Sequence, residues 1–340
     1  MKRNTFLFLS FILFIFCLFQ LSNLSFEDNA NQSSFVDIAI EEETDISTEK
    51  IVFVGDMMFD RGVERLMIKS TFTYPIELIK GFLSDFDYVI GNLEGPINEE
   101  PEDFTDASMT FSFDKRILES LNNFSVVSLA NNHTLNTGKS GLEETRKILR
   151  DAGIGFTGDP TTCGIENIYQ KDGFAYFGIN KTYSFNCSNK EISDSIKEYK
   201  FYNPESFLII LIHWGNEYED VNSVSQQKLA RLMIDSGADL IIGGHPHVVQ
   251  NIELYNNKLI FYSLGNFIFD QYPIKETLKG LVVGLEVYSD YKKYNLYPIE
   301  NIILSKPQLM KDKKDFLEII ASNSSEEIRD SIKDGFIIIN

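Results

Sequence analysis

Short apolar runs, each closed by a polar turn, recur along this chain, and segments of helical period lie between them. Residues 51–55, 88–91, 126–129, 207–212 and 240–243 are four to six residues long, rich in Val, Ile, Leu and Phe, and read as buried strands. Residues 75–84, 115–122, 138–152 and 223–236 read as helices, with Leu229, Leu232 and Met233 as the core face of the last. Gly153 and Gly237 are placed to end helices in a left-handed conformation. Two hairpins are predicted: 165–170 with 174–179 across Lys171-Asp172-Gly173, and 248–255 with 258–262 across Asn256-Asn257. The alternation predicts one α/β domain over 50–305, with mixed sheets covered on both faces. About 250 residues can form one such domain. From Lys306 to residue 340 the chain reads as a charged tail with two short helices.

The N-terminal end follows a different pattern. Lys2 and Arg3 precede an apolar stretch, residues 5–24, close to the roughly 20 residues a spanning helix needs. Residues 1–25 therefore read as a secretory signal or an uncleaved anchor. No Lys or Arg follows until Lys50, which places the bulk of the chain outside the cytoplasm by the positive-inside rule. Residues 26–49 are polar and acidic and read as a flexible stalk. The formal net charge of −19 argues against nucleic acid as a partner. It also disfavours an acidic polymer unless a metal or a local basic patch offsets it. Cys163 and Cys187 both lie outside the membrane in this topology, where a disulfide could persist; the sequence leaves open whether they meet.

All four histidines follow apolar runs: His133, His213, His245 and His247. Neutral imidazole is the commonest metal ligand, and its pKa also suits proton transfer near neutrality. His245 and His247 are two apart, so in an extended turn both would face one side. Two further turns share the pattern, ending at Asp56 and at Asn92 and Glu94. Gly55 would let the backbone approach a ligand closely, and Asn132 offers a neutral oxygen. Together these residues form the mixed oxygen and nitrogen ligand set of a hydrolytic metal centre. Two ions about 3.5–4 Å apart could clamp an anionic group and activate a water. His133, in a turn read as surface-facing, could protonate a leaving group. The planar fork of Arg61 suits a carboxylate or phosphate.

The motifs also carry a resemblance. Gly55-Asp56-Met57-Met58-Phe59-Asp60-Arg61-Gly62, Asn92-Leu93-Glu94-Gly95-Pro96-Ile97, Ala130-Asn131-Asn132-His133 and His213-Trp214-Gly215-Asn216-Glu217-Tyr218 stand in order. The stretch from Ser236 to His247 and Tyr262-Ser263-Leu264-Gly265-Asn266-Phe267-Ile268-Phe269-Asp270 complete the series. Over about residues 50–305 this order resembles the calcineurin-like metallophosphoesterases and, more closely, the CapA family of bacterial capsule (poly-γ-glutamate) synthesis proteins. The resemblance implies a four-layer αββα sandwich with two mixed sheets. It implies Asp56, Glu94, Asn132, His213, His245 and His247 as metal ligands, His133 as the acid or transition-state residue, and Arg61 and Asn266 as pocket residues. One or two divalent ions, Mn, Zn or Fe, are the implied cofactors. Met58 and Asn92 stand where metallophosphoesterases usually carry a His and a bridging Asp, as is normal for CapA-like chains. Asn136 stands where CapA-like chains often carry an Asp, which would orient His133 less firmly.

Three readings follow. The chain is a membrane-tethered metal-dependent hydrolase or transferase in surface-polymer synthesis or release, acting on a phosphoester or an amide. Alternatively it is a non-catalytic partner of a polymer export machine that holds or guides an acidic chain, or a general secreted metallophosphodiesterase. The expected partners are the membrane, an acidic surface polymer and other capsule-synthesis proteins.

Overall fold

The alternation of side chains decides the layering. In the strand Glu49–Met57, Ile51 and Phe53 point to one face and Val52 and Val54 to the other, and all four are buried. A strand buried on both faces needs a packed layer on each side. The computed structural model, which describes residues 49–104, 109–183 and 187–340, supplies both. The apolar segment 5–24 and all but the last residue of the acidic stretch 26–49 lie outside the described residues.

Ile51 and Phe53 join Ile90, Val126 and Val283 of their own sheet, and Tyr176, Ile209, Leu211, Ile242 and Phe261 of a second sheet, in one core between the sheets. Val52, Val54, Val89 and Val127 face outward and pack with Val63 and Met67 of the helix Arg61–Lys69 and with Leu142 and Leu149 of the helix Gly138–Asp151. On the far side, Phe177, Ile210, Ile212, Ile241 and Ile260 pack with Ile192 and Ile196 of the helix Asn189–Tyr202 and with Leu229 and Met233 of the helix Val224–Asp235. The order of layers is helix, sheet, sheet, helix. Each buried Val, Leu, Ile or Phe contributes about 1.5–3 kcal/mol, so the three cores hold the layers together.

Both sheets are mixed. In the first, Glu49–Met57, Tyr88–Leu93, Val126–Ser128 and Gly155–Thr157 run parallel, while Lys279–Val287, Lys292–Ile303 and Lys306–Leu309 continue from Glu49–Met57 in antiparallel order. In the second, Lys258–Phe261, Leu240–Gly244, Phe207–His213 and Phe174–Asn180 are parallel, with Ile252–Tyr255 and Ile168–Lys171 antiparallel at the edges. The parallel strands of both sheets end at one rim. There Asp56 pairs with Asn92 and with Asn266 of the short strand Asn266–Ile268, and His213 pairs with Gly244.

Both predicted hairpins form. Their turns, Asp172-Gly173 (φ 50° and 84°) and Asn256-Asn257 (φ 49° and 59°), are left-handed at both central residues, as a two-residue hairpin turn requires. Cys163 and Cys187 are joined in a disulfide, with Cα atoms 6.2 Å apart. The helix read over 75–84 is broken into a 3-10 turn, Tyr74–Ile76, and a short helix, Lys80–Leu83. Gly81 packs against nothing and lowers helix propensity by about 1 kcal/mol in a segment too short to absorb it.

The segment read as a tail from Lys306 forms its two helices, Lys314–Asn323 and Arg329–Asp334. It also does more. Leu317, Ile320 and Ile332 enter the core between the sheets, and Phe336–Ile339 pairs with Lys292–Ile303. The first sheet thus continues past residue 305, and the compact unit runs to Asn340. Charged exposed positions on both helices mask a narrow apolar stripe, which hides this role from the sequence.

Gly55 serves packing between strands rather than approach to a ligand. A Cβ there would stand 1.9 Å from the carbonyl oxygen of Gly265, which accepts the Asp56 N–H at 3.0 Å. Gly55→Ala should therefore destabilise by about 1–3 kcal/mol or more, since backbone and not a flexible side chain must yield. Urea unfolding followed by circular dichroism checks this; an unchanged midpoint would contradict the contact.

Candidate metal centre

The rim where the parallel strands end gathers most of the polar groups singled out in the sequence. Asp56, Asn92 and Glu94 come from the first sheet, and Asn132 and His133 from the loop after Val126–Ser128. His213 closes its strand, and His245 and His247 follow Leu240–Gly244. Asp56 and Glu94 are fully buried, and His133, His213 and His247 nearly so.

An amide relay holds the carboxylate side. Asn131, which sequence reasoning passed over in favour of Asn132, is fully buried. Its Oδ1 accepts from the N–H groups of His133 and Thr134 and from the Thr134 hydroxyl, and its Nδ2 donates to Asn92 Oδ1 at 3.0 Å. Asn92 Nδ2 is then left to donate to Asp56 Oδ1 at 2.8 Å, and Asp56 Oδ2 accepts the His245 N–H at 3.0 Å. Asn92 thus supports Asp56. Met58 is buried, and its sulfur faces the Asp60 N–H.

His245 and His247 do not lie in an extended turn. The strand stops at Gly244, and both residues adopt positive φ, 94° and 59°. Such conformations cost about 1–3 kcal/mol each and persist where the surroundings over-determine them. Here the restraints are the His245 N–H bond to Asp56, the Tyr218 N–H bond to Pro246 O at 2.8 Å, and His247 Nδ1 against Asn266 Oδ1 at 2.9 Å. The rings lie 6.0 Å apart, and that of His245 lies 4.8 Å from that of His213. The predicted convergence occurs, by a left-handed rather than an extended route.

Hydrogen bonding fixes two tautomers. Asn266 Nδ2 faces Thr277 O and Gln271 Oε1, so its Oδ1 is the acceptor and His247 Nδ1 the donor. Asn136 Oδ1 accepts the Phe111 N–H at 2.8 Å, so His133 Nδ1, 3.0 Å away, is also a donor. Both rings therefore carry their proton on Nδ1 and present a bare lone pair at Nε2. Asn266, only 1% exposed, spends its amide on His247 and its neighbours and has none left for a substrate. His133 is buried rather than surface-facing and stacks on Phe111, ring centres 4.3 Å apart. Burial holds His133, His245 and His247 down to about 4, and pushes His213 well below its usual range. The imidazoles are neutral at neutral pH.

Glu94 faces these two lone pairs and, beside them, Nε2 of His213, which donates to Asn132 Oδ1 at 2.8 Å while Asn92 Nδ2 faces its Nδ1 at 3.2 Å. Its Oε1 lies 3.8 Å from Nε2 of His133, 3.9 Å from Nε2 of His213 and 3.8 Å from Nε2 of His247. Neither Glu94 oxygen has a hydrogen-bond partner, and His245 Nδ1 is likewise buried without one. These separations are too long for hydrogen bonds. They suit ligands around one ion, since donors bonded at about 2.0–2.2 Å stand roughly 3–4 Å apart. Burial, then the nearby charges of Asp56 and Glu217, drive the Glu94 carboxyl far above its ordinary range. A cation among these atoms would remove that penalty, so the donor set fits a divalent metal. Asn132 Oδ1, 2.8 Å from His213 Nε2, belongs to the same cluster.

Two groups of three can each enclose an ion: Asp56, Glu94 and His213, all buried, and Glu217, His245 and His247 nearer solvent. Glu217 was present in the sequence motif but carried no assigned role. A carboxylate four residues past a strand-end histidine was the available signal. Arg61 sits at the mouth of the cleft with Met109, Tyr218, Asp270 and Gln271. Its guanidinium pairs with Asp270 and lies over Phe111 at 4.9 Å. Asp60 does not pair with that guanidinium; it caps the helix by accepting the Arg61 N–H.

Comparison with known proteins identifies the family. The family described as "Bacterial capsule synthesis protein PGA_cap" matches residues 50–167 and 164–271. The capsule biosynthesis protein CapA of Bacillus anthracis is 31% identical over 249 residues, covering 65% of this chain and 60% of that protein. The PGA biosynthesis protein CapA of Bacillus subtilis (strain 168) is 32% identical over 244 residues, covering 64% of this chain and 63% of that protein. The match thus spans under two thirds of either relative's length. Purple acid phosphatase PPD1 from yellow lupin (Lupinus luteus) seeds aligns over 73% of this chain and 51% of its own, with a TM-score of 0.35 and 11% identity, too distant to inform the site. By the extent of the family match, this chain belongs to the bacterial capsule synthesis protein PGA_cap family.

Proposed function

We propose that this protein is a metal-dependent hydrolase or transferase that acts on a phosphoester or amide bond during capsule polymer synthesis or release, on the outer side of the cell membrane. The observation that carries the reading is Glu94, a buried carboxylate with no hydrogen-bond donor, facing imidazole Nε2 atoms at 3.8–3.9 Å. A divalent ion bound there would supply Lewis acidity and an activated water. The metal is Mn, Zn or Fe in this reading.

The chain's own residues divide the remaining work. Asp56, Glu94, Asn132, His213, His245 and His247 hold the ion or ions. Asn266 orients His247, and the relay from Asn131 through Asn92 orients Asp56. His133 is neutral with its Nε2 lone pair free, so it can take a proton from the attacking group and return it to the leaving group. Asn136 fixes that tautomer without adding charge. Arg61 places a cation at the cleft mouth, where an anionic substrate would enter. Partners in this reading are other capsule-synthesis proteins and an acidic surface polymer.

Location rests on two supports. The sequence begins with Lys2-Arg3 and an apolar run, and the Cys163–Cys187 disulfide suits an oxidising compartment. No helix among the described residues is long and apolar enough to cross a membrane.

Three outcomes are expected. Protein purified without chelator should contain divalent metal, and adding chelator should lower its melting temperature, because an ion that binds only the folded state stabilises it by about 4 kcal/mol at a thousandfold excess over Kd. Glu94→Gln should lose the metal and melt at the same temperature with or without chelator. Equal metal content in both proteins would sink the site.

His133→Gln should retain metal while polymer output in cells falls to background, in line with the roughly 10²–10⁴-fold that proton transfer contributes. Normal output would leave the non-catalytic export-partner reading ahead. Protease added to intact spheroplasts should remove the domain, and Cys163 and Cys187 should resist thiol labelling until reduced. Full protection from the protease would contradict the topology.

A further inference from the structure

We infer that the end of the domain opposite the rim is a membrane-contacting face, seated on zwitterionic lipid headgroups through Phe201, Tyr202, Tyr288 and Tyr291. The rim then opens away from the bilayer. The inference rests on the N-terminal anchoring proposed above and adds to it a face, an orientation and a limit on the substrate.

The strand Glu49–Met57 enters the fold at Glu49 and reaches the rim at Asp56, about 23 Å away at roughly 3.3 Å per residue. Glu49 pairs with Val287, beside the turn in which the Tyr288 N–H bonds Tyr291 O at 3.0 Å and the two rings stack with centres 4.4 Å apart. The second sheet starts at this end too. Tyr88, first in its strand, donates its hydroxyl to Asp172 of the hairpin turn at 2.6 Å, and Phe174 just beyond that turn pairs with Phe207. The helix Asn189–Tyr202 runs back from the rim and stops just before Phe207, tied there by Lys200 Nζ to Ser206 O at 2.7 Å. Its last two residues, Phe201 and Tyr202, are 79% and 68% exposed, with rings packed edge to face at 5.2 Å. No other large hydrophobic side chain among the described residues is as exposed as Phe201.

Chain path and side-chain type select a lipid surface as the occupant. The apolar run 5–24 precedes Glu49 in the chain, so an anchor in that run joins the domain at this end. A face beside a tether meets the surface at about millimolar effective concentration, so a small contact suffices. Phe and Tyr rings favour the membrane–water boundary, where one edge is apolar and the other wet. Lys171 and Lys292 lie over the rings of Tyr88 and Phe207 at this end, each 5.3 Å away, and a lysine stem covers apolar surface while its ammonium stays in water. Glu49, Asp172, Glu205 and Asp290 stand at the same end of a chain of net charge −19. An anionic surface is therefore repelled, and a zwitterionic one is not. The rival apolar surface is Ile302, 68% exposed, with Ile303 and Leu304. It lies at the rim end, where the Ser305 hydroxyl donates to Phe269 O at 3.0 Å, and it is aliphatic, with no polar edge for the headgroups. With the rim held away from the bilayer, the bond acted on belongs to a chain that extends from the surface, not to a group lodged among the headgroups.

The test uses the full-length chain reconstituted into phosphatidylcholine vesicles, with plain or brominated acyl chains, read by flotation and by tryptophan fluorescence. The single native tryptophan, Trp214, is buried and gives a constant background. Tyr202→Trp and, separately, Phe201→Trp should shift to the blue on reconstitution and lose intensity in the brominated vesicles. Ile302→Trp should do neither. All three positions are exposed, so each variant should melt with wild type, and either aromatic-end probe alone carries the test. Flotation with no probe quenched would overturn the face and leave the anchor standing. Flotation with Ile302→Trp quenched would overturn the orientation and turn the rim toward the bilayer. Failure of the wild-type chain to float would overturn the anchor and the face with it.

Discussion

A carboxylate with nothing to bond to organises this structure. Glu94 is fully buried, lacks any hydrogen-bond donor, and looks onto imidazole nitrogens whose protons are held elsewhere. An uncompensated buried charge costs several kcal/mol or forces the group to take up a proton. The His133 and His247 rings cannot lend one, because Asn136 and Asn266 fix their protons on the far nitrogen, and His213 Nε2 is engaged by Asn132 Oδ1. The donor set fits a divalent cation.

The rest of the fold can be understood as the frame for that arrangement. Two sheets share one core, and their parallel strands end at one rim, so Asp56 and Glu94 from one sheet meet His213, His245 and His247 from the other. The backbone pays locally for this: His245 and His247 sit in a left-handed conformation that glycine would occupy more readily. Neutral amides hold the parts in place. Asn131 anchors Asn92, Asn92 anchors Asp56, and Asp56 in turn holds the His245 backbone. The scaffold is therefore preorganised, and the charge penalty is concentrated at the position an ion would fill.

Much of this was legible in the sequence, for identifiable reasons. Strands such as Phe207–His213 and Leu240–Gly244 are continuous apolar runs closed by a polar turn, a signal that survives without tertiary information. Asp-Gly and Asn-Asn marked both hairpins. Other elements were hidden. The helix Arg61–Lys69 contains Gly62 and buries only a narrow face around Val63 and Met67. The helix Asn189–Tyr202 carried a readable capping box, Ser188 with Glu191, that went unused. The C-terminal strand Phe336–Ile339 depends on a partner, Lys292–Ile303, far away in sequence.

For the site, residue type and strand-end position identified the cluster, because few residues can bind metal and all four histidines fell in such turns. Roles were harder to see than places. Nothing local distinguishes Asn131 from Asn132, and only the fold shows that one is a buried anchor while the other lies against His213. Asn266 resembled a pocket residue until its amide proved committed to His247. Glu217 needed the Tyr218–Pro246 tie before it had a neighbour to act on.

The most direct test is anomalous diffraction from crystals of protein purified without chelator, collected at the absorption edge of whatever metal elemental analysis finds. The account predicts a peak bounded by Asp56, Glu94 and His213, at bond lengths of about 2.0–2.2 Å. A map with no anomalous peak, and Glu94 instead hydrogen-bonded to an imidazole or to water, would contradict it.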